Sequence, residues 1–254
     1  MTGLILVTGG TGTLGQVVVQ RLAAQGRPVR VLSRRPPPAG RGPAEWATGD
    51  LKTGRGIDAA VAGADVIVHC ATGLGDVGAA QRLIASARRA GFPHLAYISI
   101  VGVDRIPFGY YKSKLKVERQ VEDSGLPWTV LRATQFHQLI LRGCDAVAHL
   151  PVLPVPVGIS FQPIEAGEVA ARLAELATGP AAGRVPDMGG PEVRGAASLA
   201  LSYLAARGQD RPVVPVRLPG AVLARYRRGG LLAPDRAVGR ITFEKFLAER
   251  FARA

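Results

Sequence analysis

Cysteine is nearly absent from this 254-residue sequence, with only Cys70 and Cys144 present. Two cysteines cannot build a disulfide framework, and neither sits in a metal-ligand spacing, so no metal site is expected. Lysine is almost as scarce: five of the 32 basic residues are Lys, which leaves 32 − 5 = 27 Arg. No apolar run approaches the ~18 residues of a membrane span, so no membrane partner is expected. The most apolar segment, residues 150–161, is broken by Pro151, Pro154 and Pro156. A strand pattern starts at Leu4, so no signal peptide is expected. The expected setting is reducing and cytoplasmic.

What is present suits a globular α/β protein. Hydrophobic residues make up 47% and charged residues 20%, enough for one sizeable core. The expected organisation is a single domain over 1–254, with a nucleotide-binding core at 1–150 and a covering lobe at 151–254. The net charge is +13, and residues 217–253 hold nine basic against three acidic residues. Such a stretch can face a polyanion. It lacks a helix-turn-helix signal and basic–aromatic interleaving, so nucleic acid is not the expected partner. The arginine content, with abundant Ala, Gly and Pro, also reflects a GC-rich coding bias.

The most informative segment is Thr8-Gly9-Gly10-Thr11-Gly12-Thr13-Leu14-Gly15. It follows the β-branched run Leu4-Ile5-Leu6-Val7 and opens an amphipathic stretch ending at Gly26. Strand, glycine turn and helix together make a phosphate site. Gly9 permits the tight turn, Gly12 admits a pyrophosphate to the backbone, and Gly15 lets helix and strand pack closely. The helix N-terminus then attracts the anion.

Strand signals at 4–8, 29–33, 65–70, 95–100 and 129–132 alternate with helical patterns at 14–25, 57–62, 76–90 and 112–124. Continuous apolar strands separated by helices predict a doubly wound parallel sheet. Beyond Pro151, helices are expected at 166–178, 195–207, 218–228 and 242–252. Residues 36–43, with four prolines, read as a stiff surface loop.

Several polar residues fall where strands end. Ser33-Arg34-Arg35 closes the second strand, and no Asp or Glu lies between Val29 and Ala44. Arginine there suits a ribose 2′-phosphate, which favours NADP(H) over NAD(H). Asp50-Leu51 follows the third strand, where it could meet an adenine ring or cap a helix. Ala71-Thr72-Gly73 follows the fourth, small enough to let a cofactor pass; His69 and Cys70 read as buried strand residues. Ser99 ends the fifth strand, and Tyr110 and Lys114 are spaced i, i+4 on one helical face. A nearby ammonium favours the phenolate, so Tyr110 could serve as acid/base while Ser99 holds a substrate oxygen. The alternative is a packed tyrosine with solvated lysines. His137 could donate a proton or simply pack.

These motifs resemble the short-chain dehydrogenase/reductase superfamily, in its atypical NmrA-like NAD(P)-binding branch. The matching pieces are the glycine turn, Gly49-Asp50-Leu51, Tyr97-Ile98-Ser99-Ile100-Val101-Gly102 and Tyr110-Tyr111-Lys112-Ser113-Lys114-Leu115. Leu131-Arg132-Ala133-Thr134-Gln135-Phe136-His137, Phe161-Gln162-Pro163-Ile164 and Gly189-Gly190-Pro191-Glu192 also match. The resemblance implies a Rossmann-type sheet with a small, mostly helical C-terminal substrate lobe. It implies that Thr11, Thr13, Leu14, Arg34, Leu51, Ala71–Gly73 and Lys114 contact the cofactor with the three glycines. Ala133 would meet the nicotinamide; Val101, Gln135, Phe136 and His137 would line the substrate end. The interval from Ser99 to Tyr110 is shorter than in orthodox reductases. The branch implies an NADPH-dependent reductase of a small carbonyl, enone or quinone-like molecule; a monomer or homodimer is expected. It also contains NADP(H)-sensing regulators without turnover, and the fold supports non-redox isomerases and cyclases.

Overall fold

The computed structural model describes residues 3–35, 44–73 and 75–252. The proline-rich loop read at 36–43 lies outside them. In chain order the elements begin with β1 (Leu4–Thr8), α1 (Thr13–Ala24), β2 (Val29–Ser33), β3 (Glu45–Thr48) and α2 (Ile57–Val61). Then come β4 (Ala64–His69), α3 (Asp76–Arg89), β5 (His94–Ile100), α4 (Gly109–Glu122) and β6 (Trp128–Ala133). The later elements are α5 (His137–Val147), β7 (Leu153–Pro156), β8 (Ser160–Phe161), α6 (Ala166–Thr178) and β9 (Gly183–Arg184). The last are β10 (Arg194–Gly195), α7 (Ala196–Ala206), β11 (Val213–Val216), α8 (Ala221–Arg227) and α9 (Phe243–Phe251).

These elements form two compact units. The first comprises Met1–Ser99, Lys112–Arg132 and Gly167–Pro186; the second comprises Ile100–Tyr111, Ala133–Ala166 and Asp187–Ala254. The first unit is built on a seven-stranded sheet in the order β3-β2-β1-β4-β5-β6-β9. From β1 the chain runs outward to β2 and β3, then crosses back to place β4 on the other side of β1. That reversal is the topological switch point, where open α/β sheets bind ligands. The doubly wound Rossmann-type fold expected from the strand–helix rhythm is the fold observed.

Burial explains the elements. All residues of β5 but Ile100 are buried, and β1 is buried from Ile5 to Thr8, as strands covered on both faces must be. On α1, Leu14, Val18 and Leu22 recur every fourth residue and face inward. Truncating a fully buried leucine such as Leu22 costs about 2–5 kcal/mol. Helix α4 buries Lys114, Val117, Glu118 and Val121 along one stripe, so two charged groups share the core face with two valines.

The second unit has its own core of Leu153, Leu199, Tyr203, Phe243, Leu247 and their neighbours. Strand β7 pairs in parallel with β11, and β8 pairs antiparallel with β10. Arg194 bonds Glu244, Glu192 and Ser198, which ties the start of α7 to α9. Tyr203 donates to Asp145 Oδ1 at 2.7 Å, which holds α7 to α5. Among the described residues, no helix is long and apolar enough to cross a membrane.

Candidate dinucleotide and active site

The first unit presents its loops at the carboxyl edge of the sheet. Gly9 sits in the left-handed region at φ +71, and a Cβ there would lie 2.5 Å from the Ala71 nitrogen. The turn after β1 therefore touches the loop after β4, across the switch point. Gly12 N donates to Gly9 O at 2.9 Å, closing the turn. A Cβ on Gly15 would collide with the Gly9 carbonyl, so the first turn of α1 packs directly on the loop. Gly12 is exposed, serves as N-cap of α1 with no side-chain cap, and no acidic residue occupies the first turn. Gln16 Nε2 donates to Thr11 O at 2.6 Å and holds the loop shape. The result is an open, glycine-lined helix N-terminus suited to a pyrophosphate. A dinucleotide fits these residues.

The other expected contacts follow along the same edge. Ser33 ends β2 and Arg34 and Arg35 follow it, with both arginines exposed, and Ser33 Oγ accepts from Arg35 N at 3.2 Å. Asp50 Oδ1 accepts from Lys52 N at 2.8 Å, so this carboxylate shapes its own turn. Leu51 packs half-buried on the core. Thr72 donates to Asp76 Oδ2 at 3.0 Å, between Ala71 and the exposed Gly73.

Ser99 and Lys114 are the buried polar groups of this unit that the sequence marked for chemistry. The Ser99 hydroxyl is buried and has no hydrogen-bond partner among the described residues. An unpartnered buried hydroxyl is costly, and is satisfied by a water or a ligand where protein atoms do not supply the partner. Lys114 is 3% exposed; its Nζ donates one long bond, 3.4 Å, to Ile98 O and lies 4.8 Å from the Tyr97 ring centroid. Burial lowers its pKa, while the carboxylates of Asp76 and Glu118 pull it back up. Glu118, one turn further on, forms a buried bidentate pair with Arg132. His69 is buried, shares a 2.7 Å hydrogen bond with Thr8 Oγ1, and is held neutral by burial and the Lys114 charge, its pKa pushed down to about 3. Burial pushes the Cys70 thiol up to about 12, which removes it as a nucleophile.

The second unit holds the residues read as the substrate end. Val101 is buried and its N–H donates to Ala133 O at 3.0 Å. Gln135 donates from Nε2 to Leu231 O at 3.0 Å and accepts from Gln162 N at 3.2 Å. Gln162, fully buried, donates to Gly190 O and Ala233 O and accepts from Ala233 N at 2.8 Å. These two amides fix the 231–233 loop. Sequence reasoning missed the Gln162 role, although a glutamine among apolar residues was its visible signal. Gly102, at φ +85, is pressed against the Gly230 carbonyl, so this loop also meets the segment after β5.

Phe136 is half-buried and caps α5. His137 is fully enclosed: Nε2 donates to Ile241 O at 3.0 Å and the ring stacks 5.2 Å from Phe246. Burial pushes its pKa down to about 4. That arrangement gives His137 a packing role. The two tyrosines differ sharply. Tyr111 is buried among Ile106, Leu231 and Tyr226, and burial drives its phenol far above the usual range. Tyr110 is 41% exposed and precedes Lys114 by one turn of α4.

A glycine cradle at the switch point, above a parallel sheet, defines a Rossmann-type dinucleotide-binding protein. Residues 9–139 match the NAD(P)H-binding family model. That is just over half the chain, which therefore belongs to the NAD(P)H-binding family. It is 29% identical over 230 residues to the NAD(P)H azoreductase of Xenophilus azovorans, covering 86% of this chain and 79% of that one. It is also 35% identical over 141 residues to a (4-alkanoyl-5-oxo-2,5-dihydrofuran-3-yl)methyl phosphate reductase of Streptomyces griseus, covering 52% of this chain and 48% of that one. The fold matches the NADPH-dependent quinone oxidoreductase QOR2 of Escherichia coli, complexed with NADPH, at a TM-score of 0.82. The identity there is 20%, over 97% of this chain and 99% of that one.

Proposed function

We propose that this protein is an NADPH-dependent reductase of a small carbonyl, enone or quinone-like substrate. The observation that carries the reading is the unpartnered, buried Ser99 hydroxyl on the same sheet edge as the glycine cradle. The relatives named above, an azoreductase and a furanone phosphate reductase, support reduction of a small conjugated molecule. Arg34 and Arg35, with no carboxylate beside them in the sequence, favour the 2′-phosphorylated cofactor.

Bound NADPH would supply the hydride. The backbone N–H groups at the start of α1 would hold its pyrophosphate. Lys114 would donate its spare N–H groups to the ribose, and Ser99 would donate to the substrate oxygen that gains charge. Tyr110, one turn before Lys114 on α4, would supply the proton. Turnover is tested by following nicotinamide absorbance with a panel of quinones, enones and azo dyes, in wild type and in Ser99→Ala, Tyr110→Phe and Lys114→Met. Cofactor-dependent reduction lost in Lys114→Met and Ser99→Ala supports the reading. Tight NADPH binding without turnover on any member of the panel overturns it in favour of a cofactor sensor.

A further inference from the structure

Lys114 ends a row of side chains that crosses three adjacent strands. In the parallel registers Thr8 pairs with His69 across β1 and β4, and His69 pairs with Tyr97 across β4 and β5. Register partners in parallel strands point to one face of the sheet, so the three side chains lie side by side. Each link is a contact. Thr8 Oγ1 and His69 Nδ1 share a hydrogen bond of 2.7 Å. The His69 and Tyr97 rings stack at 5.4 Å with 25° between their planes. The Lys114 ammonium then sits 4.8 Å from the Tyr97 centroid. All four side chains are 3% exposed or less.

We propose that Tyr97, braced from behind by His69 and Thr8, is the positioning residue that fixes the Lys114 ammonium at the cofactor. The inference rests on the proposed role of Lys114 in holding the dinucleotide. A lysine stem is flexible, and the hydrogen bond this one makes among the described residues, to Ile98 O, is long. The electron-rich face of Tyr97 supplies the missing constraint without using up an N–H donor. Cation–π contacts strengthen when desolvated, as this one is. A neutral His69 also matters, because an imidazolium behind the ring would repel the ammonium. Thr8 is the last residue before the glycine turn, so one row links the phosphate cradle to the ribose-binding amine. Asp76 and Glu118 act on the same amine through their charges, and among the described residues Tyr97 offers it an aromatic face.

The test is a double-mutant cycle on the full chain, read as the Kd for NADPH by calorimetry. Tyr97→Leu removes the face, Tyr97→Phe keeps it, and Thr8→Val removes the brace with little change in shape. With Lys114 present, Tyr97→Leu is expected to raise Kd about tenfold, Thr8→Val about threefold, and Tyr97→Phe less than twofold, in line with the known range of cation–π contacts. In a Lys114→Met background neither Tyr97→Leu nor Thr8→Val should raise Kd further, since both act through the ammonium. Equal effects of these two variants in both backgrounds overturn the proposal and leave Lys114 in place as a cofactor contact. If Tyr97→Leu does not fold, Thr8→Val carries the cycle alone. A Kd unchanged by Lys114→Met itself removes the reading beneath, and the proposal with it.

Discussion

Glu118 and Arg132 form a buried bidentate ion pair, with Nε to Oε1 at 2.9 Å and Nη2 to Oε2 at 2.6 Å. Both side chains are nearly inaccessible, 1% and 5% exposed. The pair fastens α4 to β6 one turn beyond Lys114, and so fixes the helix that carries the amine.

Removing one partner leaves a buried charge without compensation, which costs about 3–5 kcal/mol. Arg132→Met is expected to lower stability by that amount in chemical denaturation. The paired change Glu118→Leu with Arg132→Met should recover most of it. A single variant within about 1 kcal/mol of wild type, where surface pairs fall, contradicts the structural role.

Ser99 predicts a different signature. Its hydroxyl has no partner to lose among the described residues, so Ser99→Ala should leave the melting temperature unchanged or slightly raised. Turnover should fall about 100-fold, as when a donor to developing negative charge is removed. Loss of stability with activity retained would place Ser99 in the core instead.

Acid should destabilise the protein through its buried histidines. His137 and His69 have folded pKa values pushed down by burial to about 4 and about 3, from an ordinary 6.5. A depressed pKa means the folded state binds fewer protons. The stability this represents is whole above about 6.5 and is lost as pH falls from there toward 4. Each group contributes a slope of about 1.4 kcal/mol per pH unit inside that window. Denaturant midpoints measured from pH 7.5 to 4.5 should therefore fall steeply, and less steeply in His137→Phe. A flat profile over that range contradicts the buried, neutral assignment.

Arg34→Ala with Arg35→Ala should weaken NADPH binding about 10–100-fold, the loss of one charge-assisted contact or more, and leave NADH binding nearly unchanged. Calorimetry with the two cofactors separates these outcomes. Equal losses for both would show that the arginines do not read the 2′-phosphate.

The strands of the first unit are legible where parallel strands buried on both faces appear as unbroken apolar runs, as Leu4–Val7 of β1 and Leu95–Ile98 of β5 do. Strand β3 carried little signal, since it has four residues and exposes Glu45 and Thr48. The two-residue strands β8 and β10 are too short to show any period. Helix α5 carries Ile140, Leu141, Cys144 and Val147 at helical spacing but no start signal: its N-cap is Phe136 and its first turn has no acidic residue. At the site, the glycine turn was readable from spacing alone. The Thr8-His69-Tyr97 row was not, because strand register brings together residues 28 and 61 positions apart, and a linear pattern does not carry register. The open hydroxyl of Ser99 was hidden for the same reason.

The turn at residues 9–15 is proposed to hold the pyrophosphate of NADPH, and Gly12 sits at the middle of that cradle. Its φ of −86 and ψ of 173 suit a β-branched residue, and the nearest atom to an added Cβ is Gly9 O at 3.3 Å. Gly12→Val should therefore fold, with a melting temperature modestly below wild type because valine is a poor N-cap and its Cβ presses on Gly9 O, while filling the cradle. The measurement is NADPH affinity by calorimetry on both proteins. A loss of at least about 100-fold is expected, the scale of losing several charge-assisted bonds to the phosphates. Wild-type affinity in a folded Gly12→Val protein would contradict it.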